Sequence, residues 1–260
     1  MSASQPESGV RVEELGSGAL LRLTLDRPPA NILDSAMTLE LTRVFASLEE
    51  RPETRAVLIT GAGGHFSYGA SVEEHRADRV EGMLRRFHEL FRVIAKSGVV
   101  LLCAVRGQCL GGGLELASFG QRVFSTADAK LGQPEIVMGV LAPVASLLLS
   151  DRVGRGAADD LLLSGRTISG RAALEMGLVD ELAEDPEQAA IEWAERSLAA
   201  HSASSLRHAT RAARFELMQR FESCIAGIEA LYLEELMKTH DATEGIQAFL
   251  EKRKPNWRDA

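Results

Sequence analysis

The stretch LGGGLELA at residues 110–117 sets three consecutive glycines ahead of a glutamate in an otherwise apolar run. Glycine is poor helix material and a lone carboxylate is poor core material, so a segment holding both needs a reason. One reading is a phosphate-gripping loop with an incidental acid. A Walker loop, however, closes on Gly-Lys-Ser/Thr, where this chain has Leu114-Glu115. A dinucleotide fingerprint needs G-x-G-x-x-G, and the glycines here fall at 107, 111, 112 and 113. The other reading makes the acid the purpose. A strand ending near Val105, a tight turn and a helix starting near Gly112 leave unpaired N–H groups facing outward. Such donors are parts of an oxyanion hole, which holds an enolate better than a neutral carbonyl. Glu115 follows on the first turn of that helix, in the same cleft.

A second carboxylate stands in KLGQPEIVMGV at residues 130–140, where Glu135 follows Pro134 among small and apolar residues. Two acids in apolar surroundings do not both ionise readily. One raised and one ordinary pKa would supply an acid and a base around a single water molecule. The alternatives stay open at this point: Glu115 as a turn cap, Glu135 as the partner of a surface arginine.

The rest of the chain frames these motifs. Its 260 residues suffice for one large domain or two small ones, and a formal charge of −8 argues against a general nucleic-acid surface. Cys103, Cys109 and Cys224 form no CxxC pair and leave at least one thiol unpaired, which suits a reducing cytoplasm. The N-terminus MSASQPESGVRVEE has neither the basic nor the apolar region of a secretory leader. The apolar segment 136–149 is too short to span a bilayer and contains Pro143, so it reads as buried core. A cytoplasmic protein without a membrane segment or membrane partner is expected.

Strand patterns fall at 19–25, 56–60, 99–105 and 121–126, the second and third apolar throughout and therefore covered on both faces. Asp34 is a good N-cap for a helix carrying Met37, Leu41, Val44 and Leu48, and 73–96 has helical spacing. GRAALEMGLVDEL, from Gly170, reads as a short helix ended at Gly177 and then an extended piece. From Pro186 to about Lys254 helix follows helix, with Asp241 and Glu244 as a capping box for the last. The spacing predicts an α/β core over 1–200 and a helical region over 201–260 whose apolar stripes would pack between subunits.

The two glutamate motifs, together with LDRPPANIL at 25–33, AVLITGAGGHFSYGASVEE at 56–74, LLLSGRTISGRAALEMGLVDEL at 161–182 and EGIQAFLEKRKPNWRD at 244–259, resemble the enoyl-CoA hydratase/isomerase (crotonase) superfamily. The resemblance spans essentially the whole chain. It implies a spiral of ββα units with a C-terminal helical trimerisation region, assembled as a homotrimer or homohexamer. It also implies a lyase acting on an acyl-CoA, with no cofactor beyond the CoA thioester substrate and no metal. Carried over by position, Ala70 and Gly112 would donate backbone N–H groups to the thioester oxygen, and Glu115 and Glu135 would hold the water. The strip Ala70, Ser71, Val72 and Glu73 would border the CoA, with Phe249 and Lys252 approaching it from a neighbouring subunit.

Two departures from the family pattern bear on the substrate. Ser71 stands where the family often has an aspartate, and Pro143 replaces a glycine lining the water site, where it has no N–H to donate. FSYGASVEEH at 66–75 and LAPVAS at 141–146 resemble the cyclohexa-1,5-diene-1-carbonyl-CoA hydratase branch, which includes a 3-hydroxy-3-methylglutaryl-CoA dehydratase forming 3-methylglutaconyl-CoA. The second of these substrates carries a free carboxylate, which needs a cation or several donors in a dry pocket. His75, Arg76 and Arg79, with Tyr68 as a further donor, are candidates for that task. The methylglutaconyl/hydroxymethylglutaryl pair is the expectation, with the cyclic diene as the alternative and a non-catalytic acyl-CoA binder as a different class.

Overall fold

The computed structural model describes residues 9–16 and 18–260; the first eight residues, part of the stretch read above for a leader, and Ser17 lie outside the described residues. In chain order the elements begin with β1 (Val10–Leu15), β2 (Leu20–Leu25), α1 (Ser35–Ser47), β3 (Ala56–Gly61), α2 (Val80–Ser97), β4 (Val100–Val105) and β5 (Gln108–Leu110). Next come α3 (Gly112–Phe119), β6 (Arg122–Ser125), β7 (Lys130–Gly132), α4 (Pro143–Val153), α5 (Arg155–Ser164) and β8 (Thr167–Ser169). The chain ends with α6 (Gly170–Glu175), β9 (Glu181–Leu182), α7 (Pro186–Leu198), α8 (Ala203–Ala213), α9 (Phe215–Ala230) and α10 (His240–Leu250).

The large sheet runs β1-β2-β3-β4-β6-β9. Only the first pair is antiparallel; the others are parallel and need the helical crossovers that separate them in sequence. Burial of both faces explains the apolar runs of β3 and β4, and β2 shares the arrangement through its leucines. Leu21, Leu23, Val57, Ile59, Leu101 and Cys103 face the main core, while Leu20, Ala56, Leu58, Val100 and Leu102 pack with Ala190, Ala194 and Leu198 of α7. Both faces are covered, as parallel strands require.

A second sheet, β5-β7-β8, positions the LGGGLELA and KLGQPEIVMGV motifs. Cys109 pairs with Leu131 and Leu110 with Gly132, and the Gly111 N–H then donates to Gly132 O at 3.0 Å. The glycine turn is thereby fastened three residues ahead of Glu135. Strands this short escape any reading of periodicity, and all three were absent from the sequence expectation.

Several boundaries differ from that expectation for local reasons. The segment read as one helix over 73–96 is a 3₁₀ turn at Val72–His75 followed by α2. Ile136 and Val137, read as core, are 41% and 58% exposed because Pro134–Met138 is a 3₁₀ turn at the surface of a cavity. The last helix is capped by Thr239, whose hydroxyl accepts from Ala242 N. Asp241 lies inside that helix and its carboxylate instead accepts the Arg258 and Asp259 N–H groups, while Glu244 takes the Asn256 N–H and pairs with Arg253. These two acids strap the C-terminal tail along α10 and leave the N-cap to threonine. From α9 the chain passes through a π turn at Leu231–Glu235 and a 3₁₀ turn at Leu236–Lys238 before α10 packs on the Val72–His75 and Pro134–Met138 turns. Among the described residues no helix is long and apolar enough to cross a membrane.

Candidate active site

The site is built where β3 and β4 end. After β3 the chain loops to residues 66–70, which lie against β5: Ser67 N donates to Gln108 O and Leu110 N to Ser67 O, both at 3.0 Å. The Ser67 hydroxyl donates to Asn31 O and accepts the Gly69 N–H, and Leu33 N donates to Gly69 O at 2.9 Å. Gly69 has φ +103, and a Cβ there would lie 2.8 Å from Leu110 O and 3.3 Å from Gly112 N. Gly112 is equally confined, since its Cβ would lie 3.1 Å from Ala70 N. The two strips therefore meet backbone to backbone. Among the described residues neither the Ala70 N–H nor the Gly112 N–H, the latter at the start of α3, donates to another backbone group. They form a pair of adjacent, unspent donors.

Glu115, one turn into α3, is 4% exposed. Its Oε1 accepts the Ala145 N–H at 2.7 Å. Pro143 occupies the first position of α4, where an N–H would be orphaned in any helix, and the following amides of Val144 and Ala145 turn to Glu115. The proline thus costs the site no donor, and the carboxylate sits at a helix N-terminus. Burial raises the Glu115 pKa, and the Ala145 and Val144 N–H groups oppose the rise.

Glu135 is 9% exposed and its Oε2 is buried without a hydrogen-bond partner. Burial and then the nearby charge of Glu115 hold its pKa well above the carboxylate range. The asymmetry is chemical: two amides at the start of α4 offset part of the burial at Glu115, whereas Glu135 has only its own backbone N–H and also feels the Glu115 charge, so it holds its proton more firmly. The expectation of one raised and one ordinary pKa is met only in part: burial raises both carboxyls, and Glu135 further than Glu115.

A cavity of about 450 Å³ opens at Glu135. Tyr68, Ala70, Ser71, Val72, Glu73, Glu135 and Phe249, all singled out from sequence, line it, with His75, Leu110, Met138 and Leu250 among the others. Gly112 and Glu115 stand behind this lining, and Lys252 is exposed outside it. Phe249 reaches the cavity from the chain's own α10, where the resemblance implied a neighbouring subunit. Of the candidates for holding a distal carboxylate, Arg76 and Arg79 are exposed and outside the lining. His75 does line the cavity, but burial lowers its pKa and its Nδ1 faces Ser71 O at 2.8 Å.

Two buried residues were missed. Gln133 is 1% exposed with both amide atoms unpartnered, beside Glu135 in a smaller cavity of about 140 Å³. Tyr232 is fully buried with an unpartnered hydroxyl. Neither carries a sequence signal, because a glutamine before a proline and a tyrosine in a helical run are ordinary.

Comparison with known proteins points in one direction. Residues 16–260 match the pattern of the family described as enoyl-CoA hydratase/isomerase. The chain is 51% identical to a cyclohexa-1,5-dienecarbonyl-CoA hydratase of Thauera aromatica over 254 residues, covering 98% of both chains. It is 37% identical to a probable enoyl-CoA hydratase of Bacillus subtilis, covering 91% of this chain and 94% of that one. Among solved structures, an enoyl-CoA hydratase/isomerase from Mycobacterium paratuberculosis superposes with a TM-score of 0.84 at 25% identity, covering 94% of this chain and 99% of that one.

Proposed function

The chain belongs to the enoyl-CoA hydratase/isomerase (crotonase) superfamily and has its α/β fold, and from that premise we propose that it hydrates cyclohexa-1,5-diene-1-carbonyl-CoA. It is a hydro-lyase of CoA thioesters. The observation that carries the chemistry is the buried Glu115–Glu135 pair beside two unspent backbone donors.

In this reading the thioester oxygen accepts from the Ala70 and Gly112 N–H groups, which bind an enolate oxygen more strongly than a carbonyl. The Glu115 carboxylate, set at the N-terminus of α4, takes a proton from water as the water oxygen bonds to Cβ. The electron pair of the double bond moves onto the thioester as an enolate. Glu135, holding its proton, returns one to the carbon framework as the enolate collapses. In a ring diene the enolate is conjugated, so that proton can be taken at Cα or at the far end of the conjugated system. The chain's own carboxyls supply both proton transfers, and the reading calls for no cofactor.

The choice of acyl group rests on the 51% identity with the Thauera aromatica hydratase and on the cavity's character. Its wall of Val72, Leu110, Met138 and Leu250 suits a neutral ring, and its one imidazole is held toward the neutral form. The methylglutaconyl/hydroxymethylglutaryl pair favoured from sequence would bring a free carboxylate that no cation in this lining meets. Incubation with each CoA ester separately, followed by mass spectrometry, decides the matter. Gain of one water by the cyclic diene and none by 3-methylglutaconyl-CoA is expected; the reverse overturns the assignment.

Assembly as a homotrimer or homohexamer belongs to the same proposal. Phe215 of α9 is 64% exposed beside a broad groove between α2 and α9, as an intersubunit face would be. Light scattering of the purified protein tests it.

A further inference from the structure

Tyr232 sits in an apolar cluster with Val80, Met83, Leu84, Val140, Ala242 and Ile246. Its residue exposure is 0% and its hydroxyl has no partner among the described residues. Buried tyrosine hydroxyls ordinarily find one, because a dry, unpaired O–H costs stability that a phenylalanine of the same shape would avoid. The hydroxyl therefore calls for a partner from outside the chain.

Its position says which. Tyr232 lies in the π turn at Leu231–Glu235 that interrupts the helical path after α9. Such turns rotate side chains out of α-helical register and recur at functional sites. Tyr232 shares its apolar cluster with Val140, whose N–H donates to Glu135 O at 3.1 Å. Burial, and then the charges of Glu135 and Glu115, push the phenol far above its usual range, so it keeps its proton and has an O–H to donate in a hydrogen bond. Glu135, whose own Oε2 is buried without a partner among the described residues, is near enough for its charge to act on the phenol.

We propose that Tyr232 is a third catalytic residue, donating a hydrogen bond to the oxygen of the water that Glu115 and Glu135 hold. The inference rests on the hydration reading above. One lone pair of the water is then occupied by Tyr232 and the other is left to attack Cβ, while a water hydrogen points to Glu115. In the dehydrating direction the same donor steadies the departing oxygen as its bond to Cβ breaks. The phenol keeps its own proton in either direction. The water's position is thus set by three side chains, one of which comes from the C-terminal helical region.

Two measurements test this separately from the hydratase reading. A crystal structure of the free protein that resolves waters is expected to show one within hydrogen-bond distance of both the Tyr232 hydroxyl and a carboxyl oxygen of Glu135 or Glu115. A dry hydroxyl, or one bonded to the backbone, overturns the proposal whatever the assays give. In Tyr232→Phe, kcat is expected to fall about 10- to 100-fold with KM little changed and the melting temperature held or raised. An unchanged kcat with an altered melting temperature would assign the phenol a structural role only. Wild-type protein inactive on every enoyl-CoA would sink the hydratase reading, and the water structure would still decide the place of Tyr232.

Discussion

Gly111 and Glu135 touch so closely that a Cβ on the glycine would lie 2.6 Å from Glu135 Oε1. The backbone there also has φ +51, which an L side chain rarely adopts. Gly111→Ala is therefore expected to move the carboxyl rather than merely crowd it. A displacement of that kind costs about 100-fold in kcat, with a smaller loss of stability of about 1 kcal/mol or more from the backbone. Steady-state kinetics with a thermal melt check this; full activity in the variant would mean that Glu135 need not stay where it is.

In the proposed mechanism the two carboxyls act on one water, so their removal is expected to be non-additive. Glu115→Gln and Glu135→Gln should each lower kcat by about 10²- to 10⁴-fold while leaving acyl-CoA binding nearly intact. The double variant should be little worse than the poorer single one. Calorimetric binding of a saturated acyl-CoA beside turnover measurements separates the two effects. Effects that multiply instead would show that the acids work in independent steps.

Burial pushes Glu115 up to about 7, and burial together with the charge of Glu115 pushes Glu135 up to about 8, from an ordinary 4.5. The proposed mechanism needs one of the pair protonated and one ionised, so kcat/KM should follow a bell between and around those values, its limbs belonging to the pair. Stability has a definite sign. Between about pH 4.5 and 8 the folded chain keeps protons that the unfolded chain has lost, so this contribution is complete in acid and drains away as pH rises. The difference in melting temperature between Glu135→Gln and wild type should therefore widen in the variant's favour from pH 5 to 8. A constant difference would mean that folding leaves the Glu135 pKa where it was.

Gly245 of α10 has no room for a side chain, because a Cβ would overlap Met138 O and lie 2.8 Å from Trp257. Gly245→Ala should lift α10 off the Pro134–Met138 turn and displace Phe249 and Leu250 from the cavity wall. The expected result is a KM raised several-fold, more than kcat is lowered, together with a loss of about 1–3 kcal/mol in stability. Urea titration and kinetics on the same preparation read both, and an unchanged KM would separate α10 from acyl-group binding.

Much of this was legible beforehand. The unbroken apolar runs at 56–60 and 99–105 announced strands covered on both sides, and Asp34 announced α1, whose Met37 N–H it accepts at 2.8 Å. The glycines at 111–113 and the two glutamates could be read because few other roles tolerate those residues there. What escaped depends on contacts distant in sequence. Three-residue strands such as β5 have too few positions to show alternation, and Thr239 and Asp241 are both good caps on paper. The choice between those caps fell to Arg258 and Asp259, which claim the aspartate from the chain's far end. Tyr232 is silent in sequence because a π turn leaves no mark on helical periodicity.

The placement of Phe249 and Leu250 in the chain's own cavity has an evolutionary reach. The acid pair and the glycine turn are fixed by the small sheet, whereas this part of the acyl wall arrives on the last helix, fastened by Thr239 and Glu244. Chemistry and preference are thus inherited on separate stretches of polypeptide. Substitutions at a few positions near the C-terminus would therefore reshape this wall while leaving Glu115, Glu135 and the glycine turn where they stand.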